Sequence, residues 1–257
     1  MSKFKALMRY TPPPFHLFEK YHLGEGFLSL ADHAVSYAYS EFIEADAMDE
    51  DEFMAWGNDP LGTDEYDLVD LYGQWTKADD LLKRLEYMEP AERAKHLTLG
   101  PLKDRLDYEK ISQKFADLTA ELKAWEQEVG ERLVYPALDR QLKRRLDKWE
   151  YYLDMAVKDF EAGRDLEGDE ERMDGIDDYC DERTLIEYAA MGIQNLQFRE
   201  PGRLKPLPYL KTFIARRLEL DERFRKALNG RFCPAPWADP AFWWHWPPKS
   251  QKKQRTK

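Results

Sequence analysis

The sequence predicts an all-α protein, because its composition and the spacing of its apolar residues both favour helices. Glu, Lys, Leu, Ala and Arg are plentiful, whereas glycine contributes only 13 of the 257 residues. The plentiful residues are the strongest helix formers. Apolar residues recur at steps of three and four, which is helical spacing. Charged residues make up 35% of the chain, which favours thin helical layers with large solvated faces.

The amino-terminal region divides into an arm and a set of helices. Three successive prolines follow Thr11 and prevent helix formation, so we assign residues 1–25 to an extended arm. Helices are predicted over residues 26–98, where Thr63 caps one helix and Thr76 starts the next. The apolar face of the first helix is formed by Leu28, Ala31, Val35, Ala38 and Phe42.

Two apolar seams between residues 101 and 163 form the clearest pattern in the chain. Gly130 is a good residue to follow a helix and Pro136 is a good residue to begin one. Acidic residues before this point and basic residues after it would pair if the chain folded back. We therefore predict a helical bundle with a long central antiparallel helical hairpin. The first seam is Ile111, Phe115, Leu118, Leu122, Trp125 and Val129, and the second is Leu142, Leu146, Trp149, Leu153, Ala156 and Phe160.

The rest of the chain is predicted as an acidic connector, further helices and an irregular end. Residues 164–183 form the connector, and Thr184 with Glu187 resembles a capping box at the start of the C-terminal helices over 184–231. Residues 1–231 are thus predicted to form a single helical domain. Residues 232–257 are predicted as an irregular Pro/Trp-rich segment and a basic tail.

Composition also narrows the class of protein. No stretch approaches the roughly 18 apolar residues that a membrane helix needs, and the first ten residues have no signal-peptide pattern. Cys180 and Cys233 are far apart, which disfavours a thiolate zinc site or a disulfide framework. We therefore expect a cytoplasmic protein that does not bind membranes and has no cofactor.

Charge is distributed very unevenly along the chain. The net charge of −11 disfavours bulk binding to DNA. Residues 41–70 contain twelve acids and no Lys or Arg, which predicts a solvated acidic face or a surface for a basic partner. Residues 199–231 contain ten bases and four acids. The helix predicted within this range, from about residue 208 to 228, is expected to be solvated, to pair with the acidic connector, or to bind nucleic acid. The nucleic-acid alternative uses Arg203, Lys205, Lys211, Arg216, Arg217 and Arg223.

The C-terminal segment is the most distinctive part of the sequence. Its prolines prevent an ordinary amphipathic helix, and its rings are costly to expose and dominate interface energetics. It is predicted either to cover the molecule's own core or to dock on a partner. The candidate partner-binding residues are Trp237, Phe242, Trp243, Trp244 and Trp246.

A metal site near the N-terminus is a further alternative. Glu19 and His22 have the Glu-x-x-His spacing of carboxylate-bridged di-iron bundles, and His16 and His33 lie nearby in the sequence. Those bundles use the motif twice, whereas this chain contains it once. The motif is therefore weak by itself.

The sequence contains no Gly-rich phosphate loop, nucleophile elbow or Cys–His pairing. Together with the charge segregation and the aromatic segment, this favours a non-enzymatic adaptor, regulator or assembly subunit that acts through protein–protein contacts. One alternative is a nucleic-acid-binding subunit of a larger complex that uses the basic C-terminal helix. The other is a metal-dependent enzyme with a His/Glu site near the N-terminus.

Overall fold

A computed structural model confirms the all-α class. It describes residues 27–58, 67–97, 106–161, 176–199, 208–228, 233 and 242–245, and no β-strand occurs among them. The α-helices within these ranges are α1 (Phe27–Ala47), α2 (Glu50–Asn58), α3 (Leu68–Tyr87), α4 (Pro90–Leu97), α5 (Tyr108–Val129), α6 (Tyr135–Glu161), α7 (Ile176–Arg199) and α8 (Pro208–Leu228). A π-helical turn (Gly130–Val134) joins α5 to α6, and a 3₁₀ turn spans Trp243–His245.

The helices form a bundle with two apolar cores. Helix α3 packs between α1 and α7, α5 lies against α1, and α6 packs against α8 and α7. The smaller core joins the first half of α1 to the second half of α3, and the larger core occupies the rest of the bundle. The predicted apolar face of α1 is confirmed, because all of its residues are buried: Leu28, Ala31, Val35, Ala38 and Phe42.

Helix α3 is continuous where two helices are predicted. It begins after Asp67, whose carboxylate accepts a hydrogen bond from the backbone N–H of Asp70. Thr76 is buried inside this helix and donates its hydroxyl to the carbonyl of Tyr72. The predicted helix start at Thr76 is therefore wrong, because the hydroxyl bonds to the preceding turn instead of capping a new helix. Thr63 lies outside the described residues.

Helix α7 also contains a threonine that is predicted to cap a helix but lies inside one. It begins at Ile176, so the last eight residues of the connector predicted over 164–183 are helical. Thr184 lies inside α7 and donates its hydroxyl to the carbonyl of Cys180. The predicted capping box at Thr184 and Glu187 is thus wrong for the same physical reason.

Helices α5 and α6 are the two long helices predicted over residues 101–163, and a π-helical turn takes the place of the loop predicted for the central antiparallel hairpin. Helix α5 passes into α6 through the π-helical turn, in which the backbone N–H of Tyr135 bonds to the carbonyl of Gly130. No loop separates the two helices. Helix α5 packs mainly against α1, α6 packs mainly against α8 and α7, and both contact α3. A Cβ on Gly130 would lie 3.0 Å from the ring of Tyr135. The glycine therefore allows the ring to approach and does not end the helical run.

Charged residues at this junction pair with other helices. Glu126 of α5 accepts a hydrogen bond of 2.7 Å from the hydroxyl of Tyr72 on α3. Arg132 in the π-helical turn pairs with Glu50 of α2. The basic residues at the start of α6 meet carboxylates of α3 and α7. The charges near the junction therefore also hold α5 and α6 to α2, α3 and α7.

Helices α3 and α7 approach closely at two glycines. A Cβ on Gly192 would lie 2.5 Å from Thr76 Oγ1, and a Cβ on Gly73 would lie 2.5 Å from Leu185 Cδ1. Such contacts are too short for a larger side chain unless the neighbour moves. This crossing sets the spacing of the two helices that carry most of the candidate site.

Substitution of Gly192 by Ala should destabilise the protein by about 1–3 kcal/mol, because it over-packs this crossing. Thr76→Ala removes the oxygen that the new methyl group would meet. The loss caused by Gly192→Ala should therefore be smaller when Thr76→Ala is also present. Urea unfolding of the wild type, both single variants and the double variant measures this coupling. Strictly additive losses would contradict a direct contact.

Candidate functional site

A buried arginine lies where α3, α6 and α7 meet. The Nη2 atom of Arg145 on α6 is 2.5 Å from Asp70 Oδ2, and its Nη1 atom is 3.3 Å from Glu182 Oε2 on α7. Its Nε atom is 3.1 Å from Oδ2 of Asp67, the N-cap of α3. The planar guanidinium has several donors in a fixed geometry, which suits it to bind several carboxylates at once. We call Arg145 with Glu41, Asp67, Asp70 and Glu182 the Arg145 cluster.

The Arg145 cluster contains more carboxyl groups than cations. Four carboxyl groups surround Arg145, whereas two further cations are found nearby among the described residues. Arg144 has its Nη2 atom 3.9 Å from Asp67 Oδ2, and the charge of Lys148 acts on Glu182. Full ionisation would leave excess negative charge in a buried place, which is strongly unfavourable. Glu41, Asp70 and Glu182 therefore resist ionisation. Burial raises the pKa of Asp70 although Arg145 opposes the change, and burial also raises the pKa of Glu182.

Glu41 is the most isolated member of the cluster. It lies on the inner face of α1 and is 4% exposed. Within the described residues its side chain has no hydrogen bond and no ion pair. Burial raises its pKa to about 8, and the charges of Glu44 and Asp67 add to this effect. Glu41 is thus a buried carboxylic acid that keeps its proton near neutral pH.

The Arg145 cluster can bind protons, because the pKa values of Glu41, Asp70 and Glu182 are raised. Arg145 supplies the positive charge that its carboxylates need. Burial alone would lower the pKa of this guanidinium, but Glu182, Asp67 and Asp70 more than offset it and raise the pKa. In the described part of the chain, no group of three His, Cys, Asp or Glu side chains is arranged to hold a metal ion.

A second buried arginine joins α7, α8 and the C-terminal segment. Arg183 is bidentate to Asp221 of α8, with Nε 2.9 Å from Oδ1 and Nη2 3.2 Å from Oδ2. Its Nη1 donates to Glu187 at 2.8 Å. Its guanidinium carbon lies 4.6 Å from the ring centre of Trp244, a cation–π contact.

The described part of the C-terminal segment covers the molecule's own core. Phe242 and Trp244 are buried, and Phe242 packs on Tyr188 with ring centres 5.1 Å apart. The Nε1 atom of Trp244 donates to Thr184 Oγ1 at 2.9 Å, and His245 Nε2 lies 2.6 Å from the same oxygen. Two of the candidate partner-binding residues are therefore inside this chain. Trp237, Trp246 and the side chain of Trp243 lie outside the described residues.

The basic helix α8 pairs with α6 at two of the candidate nucleic-acid residues. Arg216 pairs with Asp147 and Glu150, and Arg223 pairs with Glu150 and Asp154. Burial alone would raise the pKa of Asp147, but hydrogen bonds from Lys143 and Arg216 outweigh it and lower the pKa. The remaining candidates lie outside the described residues or have side chains that do: Arg203, Lys205, Lys211 and Arg217.

One of the four predicted metal ligands lies in the described chain. His33 is exposed on α1, where its ring centre is 6.3 Å from that of Tyr37. His16, Glu19 and His22 lie outside the described residues. The predicted grouping of these four side chains therefore stays a prediction.

Helices α1 and α2 expose three apolar side chains within the predicted acidic surface, and two of them form a row along α1. Tyr39 and Ile43 lie one turn apart on α1 and are 43% and 48% exposed, and Met54 on α2 is 38% exposed. The surrounding carboxylates are exposed and make no ion pair in the described part of the chain: Glu44, Asp46, Asp49, Asp51 and Glu52. We call these eight residues the acidic–apolar face. Sequence analysis found the acids and missed the apolar row, because Tyr39 and Ile43 fall outside the inner stripe of α1.

These features define an all-α bundle built around two buried arginines, with an amphipathic acidic surface on α1 and α2. No protein-family model, curated protein or solved structure matches the chain. Among the described helices, none has a stretch that is both long and apolar enough to cross a membrane.

Glu41→Gln should change how stability depends on pH. Since the folded state holds a proton on Glu41 up to about pH 8 and a free Glu loses it near 4.5, the Glu41 contribution is fully favourable below pH 4.5. That contribution is lost as the pH rises towards 8. The variant lacks this loss, so at pH 8 its free energy of unfolding should exceed that of the wild type by about 1–3 kcal/mol.

Urea unfolding between pH 4.5 and 8.5 measures this difference. The control is Glu121→Gln, which removes the same charge at an exposed position of α5, outside the cluster. Its curve of stability against pH should run parallel to that of the wild type. Parallel curves for Glu41→Gln and the wild type would contradict the assignment.

Trp244→Ala should destabilise the protein by about 3–5 kcal/mol, because the ring is buried and its N–H is hydrogen-bonded. Tyr151→Ala is the control, since Tyr151 is 62% exposed on α6 and should cost far less. Thermal unfolding and binding of an apolar dye measure both effects. Equal stability of Trp244→Ala and the wild type would show that the segment does not cover the core in solution.

Proposed function

We propose that this chain is a non-enzymatic adaptor or assembly subunit that binds a basic protein partner through the acidic–apolar face. The observation that carries the proposal is the exposed row of Tyr39 and Ile43 among carboxylates that have no ion pair within the described residues. Exposed apolar side chains bordered by uncompensated charge are typical of contact surfaces.

The face defines the chemistry of the partner segment. Asp46 lies three residues after Ile43 and seven after Tyr39, so all three project from the same side of α1. A partner must cover the two apolar side chains and place a cation beside Asp46 and the acids of α2. An amphipathic segment with apolar residues on one side and Lys or Arg beside them meets both requirements.

The bundle supports this face from beneath. Phe42 and Phe53 both pack edge-on against Trp125 of α5, with ring centres 5.7 and 6.0 Å apart. The pair between Glu50 and Arg132 ties α2 to the π-helical turn. A face that is already held in place loses little conformational freedom when a partner binds, which favours affinity.

The two sequence-based alternatives have weaker support. The nucleic-acid reading relies on α8, where Arg216 and Arg223 already pair with carboxylates of α6. The metal-enzyme reading relies on three residues outside the described chain. A regulatory role and a cytoplasmic location remain predictions from the sequence.

A direct binding assay tests the proposal. The probe is a labelled synthetic 18-residue helical peptide with Leu and Trp on one face and Lys and Arg beside them. Tyr39→Ser combined with Ile43→Ser should weaken its binding about tenfold, equivalent to about 1.4 kcal/mol. Tyr87→Ser is the matched control, because Tyr87 is 74% exposed at the end of α3.

Fluorescence anisotropy at several salt concentrations gives the affinities, and far-UV circular dichroism checks that each variant is folded. The same proteins can be used as baits in the native host. A basic protein should co-purify with the wild type and with Tyr87→Ser, and it should be lost when Tyr39 and Ile43 are replaced. Equal probe binding by the wild type, the double variant and the Tyr87→Ser control would refute the proposal.

A further inference from the structure

We propose that the basic tail of this chain, residues 249–257, binds back onto the acidic–apolar face and competes with the partner. This inference rests on the proposed function, since it assigns a regulator to the same surface. It follows from charge, from the position where the described chain ends, and from the side chains that the tail lacks.

The charges of the tail and of the face are complementary. Residues 249–257 contain five bases and no acid: Lys249, Lys252, Lys253, Arg255 and Lys257. The face has five exposed carboxylates without ion pairs in the described part of the chain. Each surface pair contributes at most about 1 kcal/mol and is weakened by salt, so binding depends on several pairs acting together.

The last described residue places the tail within reach of the face. His245 contacts Thr184 of α7, and Glu182, half a turn earlier, contacts Arg145. Arg145 contacts Asp67, whose charge acts on Glu41 of α1. The links from His245 to Asp67 are direct contacts or lie within one helical turn, and the last link, to Glu41, is an electrostatic interaction. Twelve residues follow His245, and an extended chain of that length spans about 40 Å.

Tethering makes a weak contact effective. A short tether gives an internal ligand an effective concentration on the order of millimolar. Trp244 and Arg183 hold the start of this tether in the bundle, since the ring of Trp244 is buried over the guanidinium. A tail with only sub-millimolar affinity would therefore occupy the carboxylates for much of the time.

The composition of the tail determines what displaces it. Residues 249–257 contain no apolar side chain, so they can neutralise the carboxylates but cannot cover Tyr39 and Ile43. A partner that supplies both bases and apolar residues gains a contact that the tail lacks. A purely basic competitor gains nothing beyond charge. The tail would thus act as a filter that favours amphipathic basic partners over merely basic ones.

The competition is tested in full-length protein with the same labelled peptide. Lys252→Glu with Lys253→Glu should bind this probe at least about threefold more tightly than the wild type, because the internal competitor is removed. The control is Lys158→Glu with Lys226→Glu, which makes the same change in net charge at exposed positions of α6 and α8. This control should show a clearly smaller gain.

A carbodiimide that joins amines directly to carboxylates provides a readout that is independent of the probe. Mass spectrometry of the dilute wild type should find Lys252 or Lys253 joined to Asp46, Asp49 or Asp51. Mixing isotope-labelled and unlabelled protein shows whether each link lies within one chain. Links within one chain support tail docking, and links only between copies contradict it.

The outcomes separate this inference from the proposed function. If the probe binds, the tail variant and the control behave alike, and no intrachain link forms, the inference is overturned while the proposed function stands. If no protein binds the probe, the proposed function fails, and the intrachain links alone decide whether the tail occupies the face.

Discussion

The bundle depends on the burial of Arg145 among carboxylates that belong to different helices. A buried guanidinium needs compensation from every side, and removal of one partner typically costs about 3–5 kcal/mol because a charge is left unpaired. Since Asp67 and Asp70 come from α3 and Glu182 from α7, this single side chain fixes both helices against α6. Arg183 does the same for α7, α8 and the C-terminal segment.

These buried pairs also determine which charges remain on the surface. Arg145 of α6 is neutralised inside the bundle by Asp67 and Asp70, and Arg216 and Arg223 of α8 both pair with Glu150. Among the described residues, the acids of α1 and α2 form two ion pairs, Asp32 with Lys114 and Glu50 with Arg132. The net charge of −11 is therefore concentrated in part on the face that also exposes Tyr39 and Ile43. The proposed docking surface is thus a consequence of how the interior is neutralised.

The C-terminal segment joins a structural part to the part for which we propose a regulatory role. Its aromatic part contributes to the core, where Trp244 meets Arg183, Thr184 and Phe224. Its basic end follows within a few residues. A ring buried near the centre of the bundle gives that end a fixed origin, which is what a tethered competitor requires. The hydrogen-bonded pair of Trp244 and His245 on Thr184 therefore links the fold to the proposed regulation.

The sequence by itself determined the helical class, the inner face of α1 and the burial of the seams in α5 and α6, where Leu118, Leu122, Leu142 and Leu146 lie in the core. These are local properties, because helical periodicity can be read from a few turns. Only the tertiary structure decided that Thr76 and Thr184 lie inside helices, that α5 runs into α6, and that Phe242 and Trp244 face inward. A hydroxyl, a charge or a ring can be satisfied by several neighbours, and the partner it takes depends on which helices the packing brings together.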